Sequence, residues 1–120
     1  MDKINLKQKL GLFQKTWTPK IIGALNGQEV KLAKLEGEFL WHAHDEEDEL
    51  FLLLEGSLTM RFRDREDVTL EVGEMLIVPR GVEHLPVAPD GASVLLLEPA
   101  GTAHTGVIVS DRTVVDQEWI

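Results

Sequence analysis

The 120-residue sequence predicts an all-β fold, an antiparallel β-sandwich or barrel preceded by a short N-terminal helix. Three observations carry this reading. Short apolar runs of strand length are separated by turn residues at regular spacing. Ser57 to Arg63 alternates without a break, with Leu58, Met60 and Phe62 on one face and Thr59, Arg61 and Arg63 on the other. Helical periodicity is confined to the start of the chain, where Leu6, Leu10, Phe13 and Trp17 recur at intervals of four, three and four.

Taken in order, that apolar stripe marks residues 1–18 as an amphipathic segment. Thr18-Pro19 ends it, since a residue before proline is pushed out of helical geometry, and Gly11 weakens it. Residues 19–120 form the β domain. Ile21, Ile22 and Leu25 lead into Asn26-Gly27, a two-residue hairpin turn, and Gln28 to Leu35 returns. Further turns are expected at Glu36-Gly37, Glu55-Gly56, Asp64 to Asp67, Gly73-Glu74, Arg80-Gly81 and Pro89-Asp90-Gly91. Val94-Leu95-Leu96-Leu97 has the length of a buried strand, Pro99 to Thr102 marks the loop after it, and Trp119-Ile120 is expected to dock as an apolar anchor.

A chain of this length is one domain that buries roughly two-thirds of its unfolded surface. No apolar run approaches the ~20 residues of a membrane span, the opening residues lack the apolar stretch of a secretory signal, and there is no cysteine, so a cytoplasmic protein is expected. A net charge of −9, from 21 acidic against 12 basic residues, disfavours phosphate backbones and anionic lipid, which leaves neither nucleic acid nor membrane as a partner.

The chemistry concentrates in His42, His44, Glu49 and His84. Residues two apart on a strand share a face, so His42 and His44 aim at one point from positions roughly 7 Å apart. Alone, a His-x-His pair is commonly surface or core, and Glu49 belongs to the acidic run Asp45 to Glu49. Jointly, three imidazoles and a carboxylate suit a divalent transition ion (Mn, Fe, Ni, Co, Cu or Zn) and leave coordination positions open for a ligand. Parity places Leu40 inward with the two histidines and sends Phe39, Trp41 and Ala43 outward. Beyond the acidic run, Glu49, Phe51 and Leu53 face inward and Leu50, Leu52 and Leu54 outward. A strand apolar on both faces must be covered on both, which leads to the expectation of a homodimer sharing the outer face and the N-terminal segment. Phe51, Met60 and Phe62 are candidate walls of a substrate pocket, with plain core packing as their alternative role. His104 reads as a loop residue, since four side chains already fill the coordination set.

The stretch Gly37 to Gly56 reads Gly-x4-His-x-His-x4-Glu-x6-Gly, and Gly73 to His84 reads Gly-x5-Pro-x-Gly-x2-His. This resembles the two motifs of the cupin family, in a small single-domain member. Gly37 stands one residue nearer to His42 than is usual, and Ala88 replaces a frequent Asn. The resemblance implies a double-stranded β-helix barrel over everything after the first ~18 residues, with His42, His44, Glu49 and His84 as metal ligands. The family includes dioxygenases, isomerases, decarboxylases, lyases and proteins without known catalysis. Two functions therefore stand: a metal-dependent enzyme acting on a small oxygen-chelating metabolite, and a non-catalytic, metal-stabilised binding or sensing module. The lack of a nucleophile elbow or Gly-rich phosphate loop argues against acyl transfer and against a nucleotide cofactor.

Overall fold

A computed structural model describes residues 1–106 and 116–120. Asn5 caps helix α1 (Leu6–Leu10) by accepting a 2.9 Å hydrogen bond from Gln8 N, and the helix stops at Gly11. It is shorter than the apolar stripe. Phe13 follows irregular backbone, and Trp17 sits at φ 56, where a helix cannot continue. Released from the helix, the Trp17 indole donates to Glu36 O at 3.0 Å.

Strands β1 (Lys20–Leu25) and β2 (Gln28–Glu38) form the expected hairpin, with Asn26 and Gly27 both at positive φ (50 and 78), as a twist-matched two-residue turn requires. Then come β3 (Glu49–Gly56), β4 (Leu58–Phe62), β5 (Val68–Leu70), β6 (Met75–Val78), β7 (His84–Pro99) and β8 (Glu118–Trp119). The 16-residue β7 organises the sheet. It pairs antiparallel with β2 along one edge, while its other edge takes β4 over its first half and β3 over its second. Two expected turns, Glu36-Gly37 and Pro89-Asp90-Gly91, are instead one bulge inside this β2–β7 ladder, since Leu35 pairs with Ala92 and Gly37 with Ala88. Hydrogen bonding resumes on both sides, so the extra residues bend the strands without ending them. Of the other four, Asp64 to Asp67, Gly73-Glu74 and Arg80-Gly81 fall between strands, and Glu55-Gly56 ends β3 just before β4.

Alternation on β3 is as expected: Glu49, Phe51 and Leu53 are buried and Leu50, Leu52 and Leu54 half-buried. The inner face forms one core with Leu35, Leu58, Met60, Val78, Val94 and Leu96. On the outer face, Leu10 and Phe13 pack with Ile22 and Leu32, joined by Leu54, Leu95 and Ile120. The chain's own N-terminal segment thus covers part of the second apolar face. Ile120 docks there as expected, whereas Trp119 is exposed. Further along the outer face, Met75 (55% exposed) and Ile77 (51%) stay open beside Leu50 and Leu52. Among the described residues, no helix is long and apolar enough to cross a membrane.

Candidate metal centre

His42, His44, Glu49 and His84 come together, each offering one ligand atom within 4.8 Å of the others. Glu49 opens β3 and His84 opens β7. His42 is held to His84 by reciprocal backbone hydrogen bonds (His42 N to His84 O 3.1 Å, His84 N to His42 O 2.9 Å), and His44 O accepts from Gly81 N at 2.7 Å. The two motifs are therefore joined through their backbones as well as their side chains. Exposure is 3% or less for all four residues.

Residues 39–48 pair only through that isolated bridge, so the strict alternation expected there fails. Phe39, expected outside, is buried, with its ring 4.5 Å from Trp17, 5.5 Å from His42 and 5.6 Å from His104. Without a ladder on either side, burial of the aromatic surface decides its direction.

The Nδ1 atoms of His42 and His84 lie 2.9 Å from the carbonyls of Leu40 and Val82. A donating Nδ1–H fixes the tautomer in which Nε2 carries the lone pair. Glu49 Oε1 lies 3.3 Å from His44 Nε2 and 3.7 Å from His84 Nε2, and these three atoms are buried without a hydrogen-bond partner among the described residues. Buried polar atoms are otherwise nearly always satisfied. Lone pairs converging on one point are what a cation satisfies, so the donor set fits a divalent metal.

The electrostatics agree. Burial and the facing His84 push His42 down to about 4, keeping it neutral. Burial also opposes a charge on His44, but the Glu49 carboxylate 3.3 Å from its Nε2 outweighs burial and raises it. Burial penalises ionised Glu49 too, yet the Glu98 side chain and the His44 and His84 imidazoles beside it hold it well below the usual carboxylate range. The cluster draws positive charge.

Beside the cluster lies an apolar cavity of about 30 Å3, walled by Trp17, Pro19, Phe39, Phe51, Pro86 and Leu96 and reached by His42, Glu49 and His104. Phe51 is on this wall. Met60 is fully buried in the core and Phe62 packs partly buried against it, and neither is among the residues lining the cavity. The inward direction expected for Met60 holds, but it leads into side-chain packing. His104, expected as a loop residue, does lie in a turn and is nevertheless buried on the cavity wall. On the other side, a groove of about 320 Å3 runs from Asp45, Glu46 and Glu47 to His44.

Two buried residues escaped the sequence reading. Lys31 and Glu98 are both 0% exposed and 2.8 Å apart, and the register that pairs Leu50 with Leu97 sets Glu98 beside Glu49. Their signal was parity, since Lys31 shares the inward face with Ala33 and Leu35, and Glu98 with Val94 and Leu96.

The family model described as "Cupin domain" matches residues 28–98, more than half of the chain. A cupin-2 domain containing protein from Shewanella frigidimarina is 44% identical, with a TM-score of 0.78 over 80% of this chain and 93% of that one. Protein NMB1881 from Neisseria meningitidis is 36% identical, with a TM-score of 0.76 over 82% of this chain and all of that one. Uncharacterized protein YdbB of Bacillus subtilis is 41% identical over 63 residues, which span 52% of this chain and 56% of that protein. Hydroquinone 1,2-dioxygenase from Sphingomonas sp. TTNP3 aligns with a TM-score of 0.72 over 80% of this chain and 31% of its own, at 20% identity, a likeness of fold alone.

Proposed function

Since this chain belongs to the cupin family, we propose that it is a divalent-metal-dependent enzyme acting on a small oxygen-chelating metabolite, with His42, His44, Glu49 and His84 as the ligands. The observation that carries this reading is the convergence of His44 Nε2, His84 Nε2 and Glu49 Oε1, buried and unpaired among the described residues. A divalent ion held there would supply Lewis acidity toward a chelating oxygen ligand, and iron(II) would add reactivity toward oxygen. One carboxylate against a dication leaves a net charge of about +1, which suits an enolate, a carboxylate or a hydroxy-ketone.

The chain's own residues do the rest. Leu40 O and Val82 O orient the imidazoles, and Phe39, Phe51 and Trp17 exclude water beside them. The free space holds roughly two waters, so a metabolite enters as the wall opens. The Trp17 and His104 parts of that wall come from segments outside the strands. His104 is the one ionisable side chain on the cavity wall, among the described residues, that is not a proposed ligand. It is our candidate for contact with the bound metabolite.

Elemental analysis of the purified protein, beside His84→Ala, tests the site. One divalent ion per chain, lost in the variant, is expected, and equal metal content in both removes His84 from the centre. Oxygen uptake separates dioxygenation from isomerisation and elimination, which are followed by proton exchange of diketones and hydroxy acids. Metal binding without turnover across that panel points to the binding or sensing module. The open outer face around Met75 and Ile77 supports a homodimer. Sedimentation should give twice the chain mass, and a concentration-independent monomer overturns the dimer. The cysteine-free composition supports a cytoplasmic location.

A further inference from the structure

Fully buried ionisable side chains are rare and are kept only where something holds them. Lys31 and Glu98 form such a pair behind Glu49. The register that pairs Glu29 with Glu98 and Leu97 with Leu50 lines up three carboxylates across adjacent strands, Glu29, Glu98 and Glu49, with Lys31 as the cation among them. Lys31 Nζ lies 2.8 Å from Glu98 Oε1, 3.4 Å from Thr102 O and 3.9 Å from Glu29 Oε1. The ammonium therefore anchors one oxygen of Glu98. The other, Oε2, is buried with no protein donor. It faces Glu49, which the β3–β7 register sets beside Glu98, and one proton between the two carboxyls would join them.

We propose that Lys31 and Glu98 are positioning residues for the metal centre, forming a buried strut in which Lys31 anchors Glu98 and Glu98 holds the Glu49 carboxylate against the three histidines. The proposal rests on the reading of Glu49 as a ligand. Ligating carboxylates are themselves hydrogen-bonded by groups behind them, and loss of such a partner weakens metal binding about 10- to 100-fold. A purely structural ion pair would behave differently. Exchanging both members for apolar residues of similar volume is often neutral for folding, and it would leave metal binding intact.

The discriminating experiment compares the full chain with Glu98→Gln and with the double variant Lys31→Met, Glu98→Leu. Each is titrated with Co2+, following the affinity and the visible absorption of the bound ion, and each is also unfolded in excess chelator. Glutamine keeps an oxygen for Lys31 and offers an N–H to Glu49, so Glu98→Gln should bind Co2+ within about threefold of wild type, with the same spectrum. The double variant should unfold in chelator like wild type, bind Co2+ about 10- to 100-fold more weakly and show a shifted spectrum. A double variant with wild-type affinity and spectrum overturns the strut while leaving the metal centre standing. A wild-type protein that binds no Co2+ overturns both. Should the double variant fail to fold, Glu98→Gln beside Glu98→Leu decides: rescue by glutamine supports the strut, and equal affinity in the two refutes it.

Discussion

Gly106 tests whether the turn carrying His104 is packed against the backbone that carries the proposed ligands His42 and His44. A Cβ built on Gly106 overlaps Ala43 O and falls 2.8 Å from Ala43 C, where ordinary contact begins near 3.4 Å. Gly106→Ala must therefore push the turn and residue 43 apart by half an ångström or more. Ala43 lies between His42 and His44, so both imidazoles move with it. Gly101 supplies the control: it shares the left-handed backbone (φ 84, against 63 at Gly106), yet a Cβ there meets nothing within 4 Å. Gly101→Ala should cost only the left-handed penalty of about 1–2 kcal/mol and leave metal binding unchanged. Gly106→Ala adds an overpacking cost of about 1–3 kcal/mol. It should also weaken Co2+ binding at least about tenfold, because ligand geometry tolerates errors of only about 0.5 Å. Urea unfolding in chelator reads the first quantity, and competition against a chromophoric chelator reads the second. Equal stability and equal Co2+ affinity in the two variants would refute the packing of this turn onto Ala43.

Other outcomes follow from the same geometry. Chelation should lower the melting temperature by about 10 °C relative to protein held at 100 times the metal Kd, since that ratio contributes about 2.7 kcal/mol. An unchanged melting temperature would leave the cluster without a metal. In metal-free protein, unfolded histidine takes up a proton near pH 6.5 whereas buried His42 resists it down to about 4. Stability from neutral His42 is therefore present above pH 6.5 and lost as the pH falls toward 4, by about 3 kcal/mol. Wild type should lose that much more than His42→Gln across this window in chelator, and parallel curves would contradict the burial of His42. Phe13→Ala should cost about 3–5 kcal/mol, because Phe13 seals the outer face over Ile22 and Leu32. A cost below 1 kcal/mol by urea unfolding would mean that the N-terminal segment does not cover this face.

Much of the molecule was legible in its residues. The Asn26-Gly27 hairpin, the alternation of Glu49, Phe51 and Leu53, and the assembly of His42, His44, Glu49 and His84 depend on local rules, namely turn chemistry, the two-residue period and donor type, all of which are written along the chain. What failed was legible only with partners in place. Glu36-Gly37 and Pro89-Asp90-Gly91 have the composition of turns, and only the facing strand makes them a bulge. Phe39 left its expected face because its segment joins no ladder and is held by single backbone bonds such as Phe39 N to Pro86 O and the His42–His84 bridge.

Residue type and spacing act over a few positions, and they suffice for the β class and the four converging donors. Tertiary structure alone decided what surrounds those donors: the Trp17–Phe39 stack, His104 on the cavity wall, and Lys31 with Glu98 behind Glu49. These join residues up to 67 positions apart, as Lys31 and Glu98 are. Whether a lysine on an inward parity is a fault or a strut depends on which carboxylate the neighbouring strand sets against it.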